Sequence, residues 1–167
     1  GPTTPTIDYI TISTTGNATD FGDRTVSKAQ LAACSDGTKG IFGGGTSSDD
    51  TIDYVTISTT GNATDFGNLT VGRGQLAACA SLIRGLFGGG DSSSNVIEYI
   101  TIASIGDATD FGNLSAGRHF IGSCSDGTKG VWAGGSTGSI SNIIDYVTID
   151  TTGNATDFGD LTGIRQS

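Results

Sequence analysis

The sequence predicts an all-β tandem-repeat protein, and three observations predict it. One phrase recurs four times, as Ile7-Asp8-Tyr9, Ile52-Asp53-Tyr54, Ile97-Glu98-Tyr99 and Ile144-Asp145-Tyr146, at spacings of 45, 45 and 47 residues. Internal periods of this length mark stacked or radial repeats. Short stretches rich in Ile, Val, Thr, Tyr and Phe alternate with clusters of Gly, Ser, Asn and Asp, as strands joined by tight turns do. No stretch follows the 3.6-residue period of an amphipathic helix. Glycine fills 28 positions and hydrophobic residues only 35%, but the apolar residues fall at regular intervals, which disfavours disorder.

One unit reads as four strands. Strand a is Leu76–Cys79, with small residues suited to a crowded inner position, and strand b is Gly85–Gly88. Strand c, Ile52–Ile57, alternates with a β-branched bias. Strand d runs from Ala63 through Phe66 toward Leu69. Turns are marked by Ser35-Asp36-Gly37-Thr38 between a and b, by Thr59-Thr60-Gly61-Asn62 between c and d, and by Gly/Ser/Asp loops between b and c.

The register absorbs most residues that carry chemistry. Phe21, Phe66, Phe111 and Phe158 each follow a Tyr by twelve positions and precede Gly. Ile41-Phe42-Gly43-Gly44-Gly45, Leu86-Phe87-Gly88-Gly89-Gly90 and Val131-Trp132-Ala133-Gly134-Gly135 form a third phrase. Cys34, Cys79 and Cys124 share one phase, as do Lys28, Arg73, Arg118 and Arg165, and again Lys39, Arg84 and Lys129; Arg24 alone stands outside. Shared periodicity points to a structural role in every unit.

A glycine pair ending the second strand, a Tyr in the third and an aromatic in the fourth resemble the kelch repeat, in the order Gly88-Gly89, Tyr99, Phe111; Arg73 and Arg118 also suit that pattern. The unit wording, TIDYVTISTTGNATDFGNLT followed by FGGG, is similar to kelch-like repeat proteins of marine bacteriophages and cyanophages. The resemblance implies a β-propeller of four-stranded antiparallel blades, about 3.5 per chain. The units are then a tag scar or linker at 1–6, a half blade of strands c and d at 7–25, blades at 26–70, 71–115 and 116–162, and the start of a truncated blade at 163–167. Propellers close with about four to eight blades. The expectation is therefore closure by a second copy, a homodimer with a ring of about six or seven blades, or by residues beyond this sequence. A virion or cell surface is the setting implied; the N-terminus, where Gly1-Pro2 looks like a protease scar, leaves localisation unknown.

Charge and composition exclude several partners. A net charge of −9 with eight dispersed basic residues cannot form the cationic groove that nucleic acid requires. No apolar run approaches the ~18 residues of a membrane span. The three thiols lack CxxC spacing, and a small buried residue explains them better than a metal site. No metal site and no cofactor are assigned; the oxygen-rich Thr46-Ser47-Ser48-Asp49-Asp50 and Asn-Ala-Thr-Asp turns leave calcium open, although they form no EF-hand or nonapeptide loop. His119 is the only histidine, so the copper centre of kelch-like oxidases has no ligands here, and a Ser-His-Asp triad would depend on this one base. Asp8, Asp53, Glu98 and Asp145, and Asp20, Asp65, Asp110 and Asp157, recur in every unit. Paired carboxylates can act in glycosidases, but recurrence favours turn bonds or ion pairs with the phased cations. No catalytic residue is assigned. The glycine runs lack the Lys-Ser/Thr and helix of a phosphate loop. Asn17, Asn62, Asn68, Asn113 and Asn154 fit the glycosylation pattern but read as turn residues.

Function in repeats resides in their differences. His119 and Phe120 replace the Ala29-Gln30 and Gly74-Gln75 of the other units. The b–c loops vary most, and His119-Phe120 is expected on the same face as they are. Candidate ligand contacts are His119, Phe120, Asp49, Asp50, Asp91, Asn95 and Asn142. Leu82 and Ile83, in an a–b turn where other units have Gly-Thr, mark either a subunit contact or a locally adjusted turn. Two functions are consistent with this pattern: a non-enzymatic structural or protein-interaction module that associates with itself, or a lectin-like binder of carbohydrate.

Overall fold

The computed structural model of the chain describes residues 3–166. Gly1-Pro2, read as a tag scar, and Ser167, the last residue of the expected truncated unit, lie outside the described residues. Four antiparallel sheets are formed. A hairpin of β1 (Thr6–Tyr9) and β2 (Thr19–Asp23) comes first, followed by three four-stranded meanders. These are β3 (Ala32–Ser35), β4 (Lys39–Gly45), β5 (Asp49–Thr56) and β6 (Thr64–Asn68); then β7 (Ala77–Ala80), β8 (Arg84–Gly88), β9 (Val96–Thr101) and β10 (Thr109–Asn113); then β11 (Gly122–Ser125), β12 (Lys129–Ala133), β13 (Ile143–Thr148) and β14 (Thr156–Asp160). A single 3-10 turn, Asp91–Ser93, is the one helical element among the described residues. The all-β reading holds, and the sheets divide as the phrases indicated: strands c and d alone, then three complete units. Strand c of the first full unit begins at Asp49, earlier than Ile52, because Ser47 (φ 65°) and Ser48 (φ 56°) form a tight left-handed turn that leads straight into pairing.

Successive sheets lie face to face along their first strands, with β7 between β3 and β11. The glycines of strand b are explained by what the next sheet inserts. A Cβ on Gly43 would stand 2.6 Å from the Phe87 ring, and one on Gly88 would stand 2.8 Å from the Trp132 indole. Each glycine is thus the seat of the following unit's strand-b aromatic, and Phe87 and Trp132 are fully buried. Two of the three cysteines pack in the same way: a Cβ on Gly85 would meet Cys34 Sγ at 2.9 Å, and one on Gly130 would meet Cys79 Sγ at 2.6 Å. Cys124, expected to be buried like them, is exposed because no further sheet lies on β11 among the described residues. Burial pushes the Cys34 thiol up to about 12 and raises Cys79 further, as expected for inert packing groups.

Strand d carries a bulge at its phenylalanine. Asp65 pairs Asp53 and Gly67 pairs Ile52, leaving Phe66 as the extra residue. The bulge turns Phe66 into the core, where its ring meets Tyr54 edge-on at 5.9 Å. Tyr9–Phe21, Tyr99–Phe111 and Tyr146–Phe158 repeat this contact at 5.9, 6.0 and 5.7 Å. Gly67 (φ 144°) is obligatory for two reasons. Its backbone conformation disfavours a side chain, and a Cβ there would meet the Gly106 backbone of the next unit.

Three of the four acids before the Tyr residues, Asp53, Glu98 and Asp145, form buried ion pairs, whereas Asp8 is exposed. Arg24 reaches Asp53 at 3.1 Å, Arg73 reaches Glu98 at 2.8 Å and Arg118 reaches Asp145 at 2.5 Å, each from the connection that enters that acid's sheet. Ion pairing with phased cations was expected; the membership differs. Arg24, the cation outside the repeat's phase, does the work that Arg73 and Arg118 do, and Lys28 does not. The second set of cations lies over the tyrosines: Lys39, Arg84 and Lys129 sit 5.4, 4.4 and 4.9 Å from the Tyr54, Tyr99 and Tyr146 rings.

The a–b turns are closed by one acceptor. Asp36 Oδ1 accepts the Thr38 and Lys39 N–H groups, and Asp126 Oδ1 those of Thr128 and Lys129. Ser81 Oγ accepts the Ile83 and Arg84 N–H groups in their place. The turn at Leu82-Ile83 is therefore an adjusted version of the same motif, with both side chains exposed. The Lys129 and Thr128 N–H groups hold the exposed Asp126 carboxyl below its ordinary pKa. Its charged form is favoured in the folded chain, so its stabilising contribution is complete above about pH 4 and is lost as pH falls through the lowered folded value. Asp126→Ser should therefore melt below the wild type at pH 7, and the gap should close in acid; a gap independent of pH would contradict this assignment.

Candidate functional site

The b–c and d–a connections meet on one face. His119 lies in the d–a connection ahead of β11, and its backbone pairs with Ser136 of the following b–c loop, with N–H···O distances of 3.1 and 2.9 Å. Its Nδ1 lies 3.4 Å from Ser93 Oγ of the preceding b–c turn. The Phe120 ring stands against it, 5.1 Å between centroids. His119 and Phe120 are half-buried, so the pair joins two loops as well as facing solvent.

Phe120 belongs to a short ladder that the sequence did not reveal. Gln30, Gln75 and Phe120 all have left-handed backbones, with φ of 60°, 58° and 53°. The Gln75 N–H donates to the Gln30 carbonyl at 2.9 Å and the Phe120 N–H to the Gln75 carbonyl at 3.0 Å. A hollow of about 160 Å3 opens among Gln30, Gln75 and Phe120, floored by Leu31, Leu76 and Ile121. Three non-glycine residues in this conformation carry a conformational cost that only the surrounding bonds offset. Neither glutamine carries the Gly or Asn signature of such a backbone, so no residue type announced the ladder.

The remaining candidates are mostly occupied by structure. Asp49 Oδ1 accepts from the Thr51 hydroxyl at 2.9 Å, and its Oδ2 is buried without a partner among the described residues. Asp91 Oδ2 accepts the Gly74 N–H at 2.7 Å. Asp50, Asn95 and Asn142 each lend a backbone carbonyl to the N–H of Leu69, Leu114 or Leu161, all at 2.7 Å. Asp49 and Asp50, expected in a b–c loop, lie within β5 because pairing begins at Asp49. Asp50 and the loop residues Asn95 and Asn142 secure strand d, and what they offer a ligand is side-chain surface around the rim. Among the described residues no three His, Cys, Asp or Glu side chains converge as a metal site. The acids that might have paired for glycoside chemistry are divided: Asp53 is held by Arg24 and the Thr25 hydroxyl, whereas Asp65 is exposed.

A second kind of hollow recurs at the c–d turns. One of about 330 Å3 is lined by Tyr54, Thr56, Thr59, Thr60, Asn62 and Thr64, and its counterpart of about 270 Å3 by Tyr146, Thr148, Thr151, Thr152, Asn154 and Thr156. Hydroxyls and one amide beside an aromatic ring give these hollows a hydrogen-bonding, uncharged character. The asparagines serve as turn and junction residues: Asn62 and Asn154 Oδ1 accept the N–H of Asp23 and Asn113 in the sheet before. No known family profile matches this sequence, and no curated protein is significantly similar to it.

Proposed function

We propose that the protein is a non-enzymatic interaction module, a kelch-like β-propeller segment of about three and a half blades that associates with itself, in a setting such as a virion or cell surface. The propeller reading draws on the side-by-side first strands and on sheets that each seat the next one's aromatic. One observation carries the self-association reading. Backbone contacts that recur at every internal junction are left unmade at both end sheets, where Tyr9, Ile10 and Phe158 are exposed although their counterparts between sheets are half-buried or buried. Exposed apolar surface next to unpaired backbone favours association. Light scattering on the purified chain should give a multiple of 16.8 kDa at micromolar concentration; a monodisperse monomer would overturn self-association.

A second reading is favoured by the repeated Thr/Asn/Tyr hollows. Equivalent polar sites on the first and third full units suit a multivalent, lectin-like binder of carbohydrate. A glycan array read with the folded protein discriminates: selective binding lost on Thr60→Val and Thr152→Val supports the lectin, and silence leaves the interaction module.

A further inference from the structure

We propose that the chain associates head to tail, with the β1–β2 hairpin of a second copy seated on the open face of the β13–β14 hairpin. The inference rests on the self-association reading and names the surfaces that carry it.

The internal junctions follow one code. The carbonyl of each strand-d Phe accepts an N–H from the next c–d turn: Gly61 to Phe21 at 2.7 Å, Gly106 to Phe66 and Gly153 to Phe111 at 2.8 Å. Two residues on, Ala63, Ala108 and Ala155 donate to Asp23, Asn68 and Asn113, all at 2.8 Å. The turn side chains Asn62, Asp107 and Asn154 accept the N–H of Asp23, Asn68 and Asn113 at 2.9–3.0 Å.

Both halves of that code stand unused at the ends. Phe158 and Asp160 have the carbonyls, and Gly16, Asn17 and Ala18 of β1–β2 have the matching donors and acceptor; none has such a partner among the described residues. Gly159 keeps the backbone of its counterparts (φ 135°) yet has nothing within 4 Å of a Cβ, whereas Gly22, Gly67 and Gly112 there touch the next turn. The charges match too. Asp8 is exposed where Asp53, Glu98 and Asp145 are fully buried, and Arg165 is exposed where Arg73 and Arg118 are buried. Ile12 is 95% exposed, while Ile102 and Ile149 are 1% and 0% exposed, with Lys39 Nζ and Arg84 bound to their carbonyls; Ile57, whose turn packs on the two-stranded sheet that has no strand b, is 45% exposed. Lys129, the third of that cation set, belongs to the sheet whose neighbour is missing.

Two departures from the repeat say why the occupant is a half unit. A full unit would bring a strand-b aromatic against Ala133, which stands where Gly43 and Gly88 leave room for a ring; its Cβ would collide with one. The β1–β2 hairpin has no strand b and brings no ring. Arg24 takes the position of the buried Leu69 and Leu114, and its guanidinium lies 5.9 Å from the Phe42 ring. It covers an aromatic that other sheets cover with strand b, so β1–β2 is suited to lie between two sheets as a hairpin alone. The β1–β2 contact with β5–β6 already uses these c–d bonds, the Arg24–Asp53 pair and the Thr25 hydroxyl on Asp53, with no strand b.

The test is sedimentation of the whole chain with three substitutions at exposed positions. Phe158→Glu, Asp8→Arg and Arg165→Asp should each keep the wild-type circular dichroism and melt as folded monomers, with association weakened by about tenfold or more. Mixing the Asp8→Arg and Arg165→Asp proteins should restore assembly, because each junction then holds one cation and one acid. A wild-type oligomer indifferent to all three substitutions overturns this junction and leaves self-association standing. A wild-type monomer overturns both.

Discussion

Arg118→Ala is expected to cost about 3–5 kcal/mol of folding stability, the range for breaking a buried ion pair from one side. Arg118 and Asp145 are both fully buried, and the guanidinium also donates to the Gly134 and Ile143 carbonyls at 3.0 and 2.8 Å. Burial pulls the Arg118 pKa down and Asp145 opposes it; a guanidinium stays charged regardless. Truncation leaves the Asp145 carboxylate in the interior with the Ser115 N–H at 3.3 Å and strips the Gly134 carbonyl of its donor, while the Ile143 carbonyl keeps the Gly134 N–H at 3.0 Å. Urea denaturation should show a lower midpoint with an unchanged slope. Arg118→Met with Asp145→Leu should recover much of the loss, because an apolar pair of similar volume avoids the buried charge. Recovery stays incomplete, since neither residue satisfies the Gly134 carbonyl. Arg24→Ala should cost less. Arg24 uses only Nε toward Asp53, its two terminal nitrogens have no partner among the described residues, and the Thr25 hydroxyl stays on Asp53 at 2.5 Å. A midpoint for Arg118→Ala within error of the wild type would remove this account of the junction.

Much of this architecture is legible in the chain because each unit repeats the same side chains at the same phase. The twelve-residue step from Tyr to Phe anticipates the edge-on pairs, and the small residues of strand a anticipate its crowded place. Arg24 escaped because phase counts positions along the chain, whereas an ion pair needs only a reachable acid. An arginine four residues upstream of Lys28 spans the difference. The Gln30–Gln75–Phe120 ladder escaped for another reason: its left-handed backbones are imposed by hydrogen bonds between units, not by residue type. His119 and Phe120 were found by difference from their counterparts, and difference is the signal that survives when repetition assigns everything else to packing. The loop acids illustrate the limit. Composition marks Asp50, Asn95 and Asn142 as polar loop residues, but their shared task is a backbone carbonyl bond that no side chain reports.

The strand-b glycines give the other large effect. Gly43→Val is expected to destabilise by about 3 kcal/mol, the upper end of overpacking costs, because Phe87 has nowhere to go. The ring is fully buried in the cluster of Ile41, Phe66 and Leu76, and a Cβ on residue 43 would already lie 2.6 Å from it. Relief needs either a displaced ring or separated sheets, and separation would also stretch the Gly106–Phe66 and Ala108–Asn68 bonds of that junction. Gly122→Ala is the matched control. That strand glycine meets only the Ala133 carbonyl at 4.0 Å, and the change should be neutral or slightly stabilising. Gly43→Ala combined with Phe87→Leu should destabilise by less than the sum of the two, since the shorter side chain vacates the space the new methyl takes. Contacting residues depart from additivity by about 0.5–3 kcal/mol. Strict additivity in thermal or urea unfolding would show that residues 43 and 87 do not touch, and the face-to-face order of the sheets would fall with that contact.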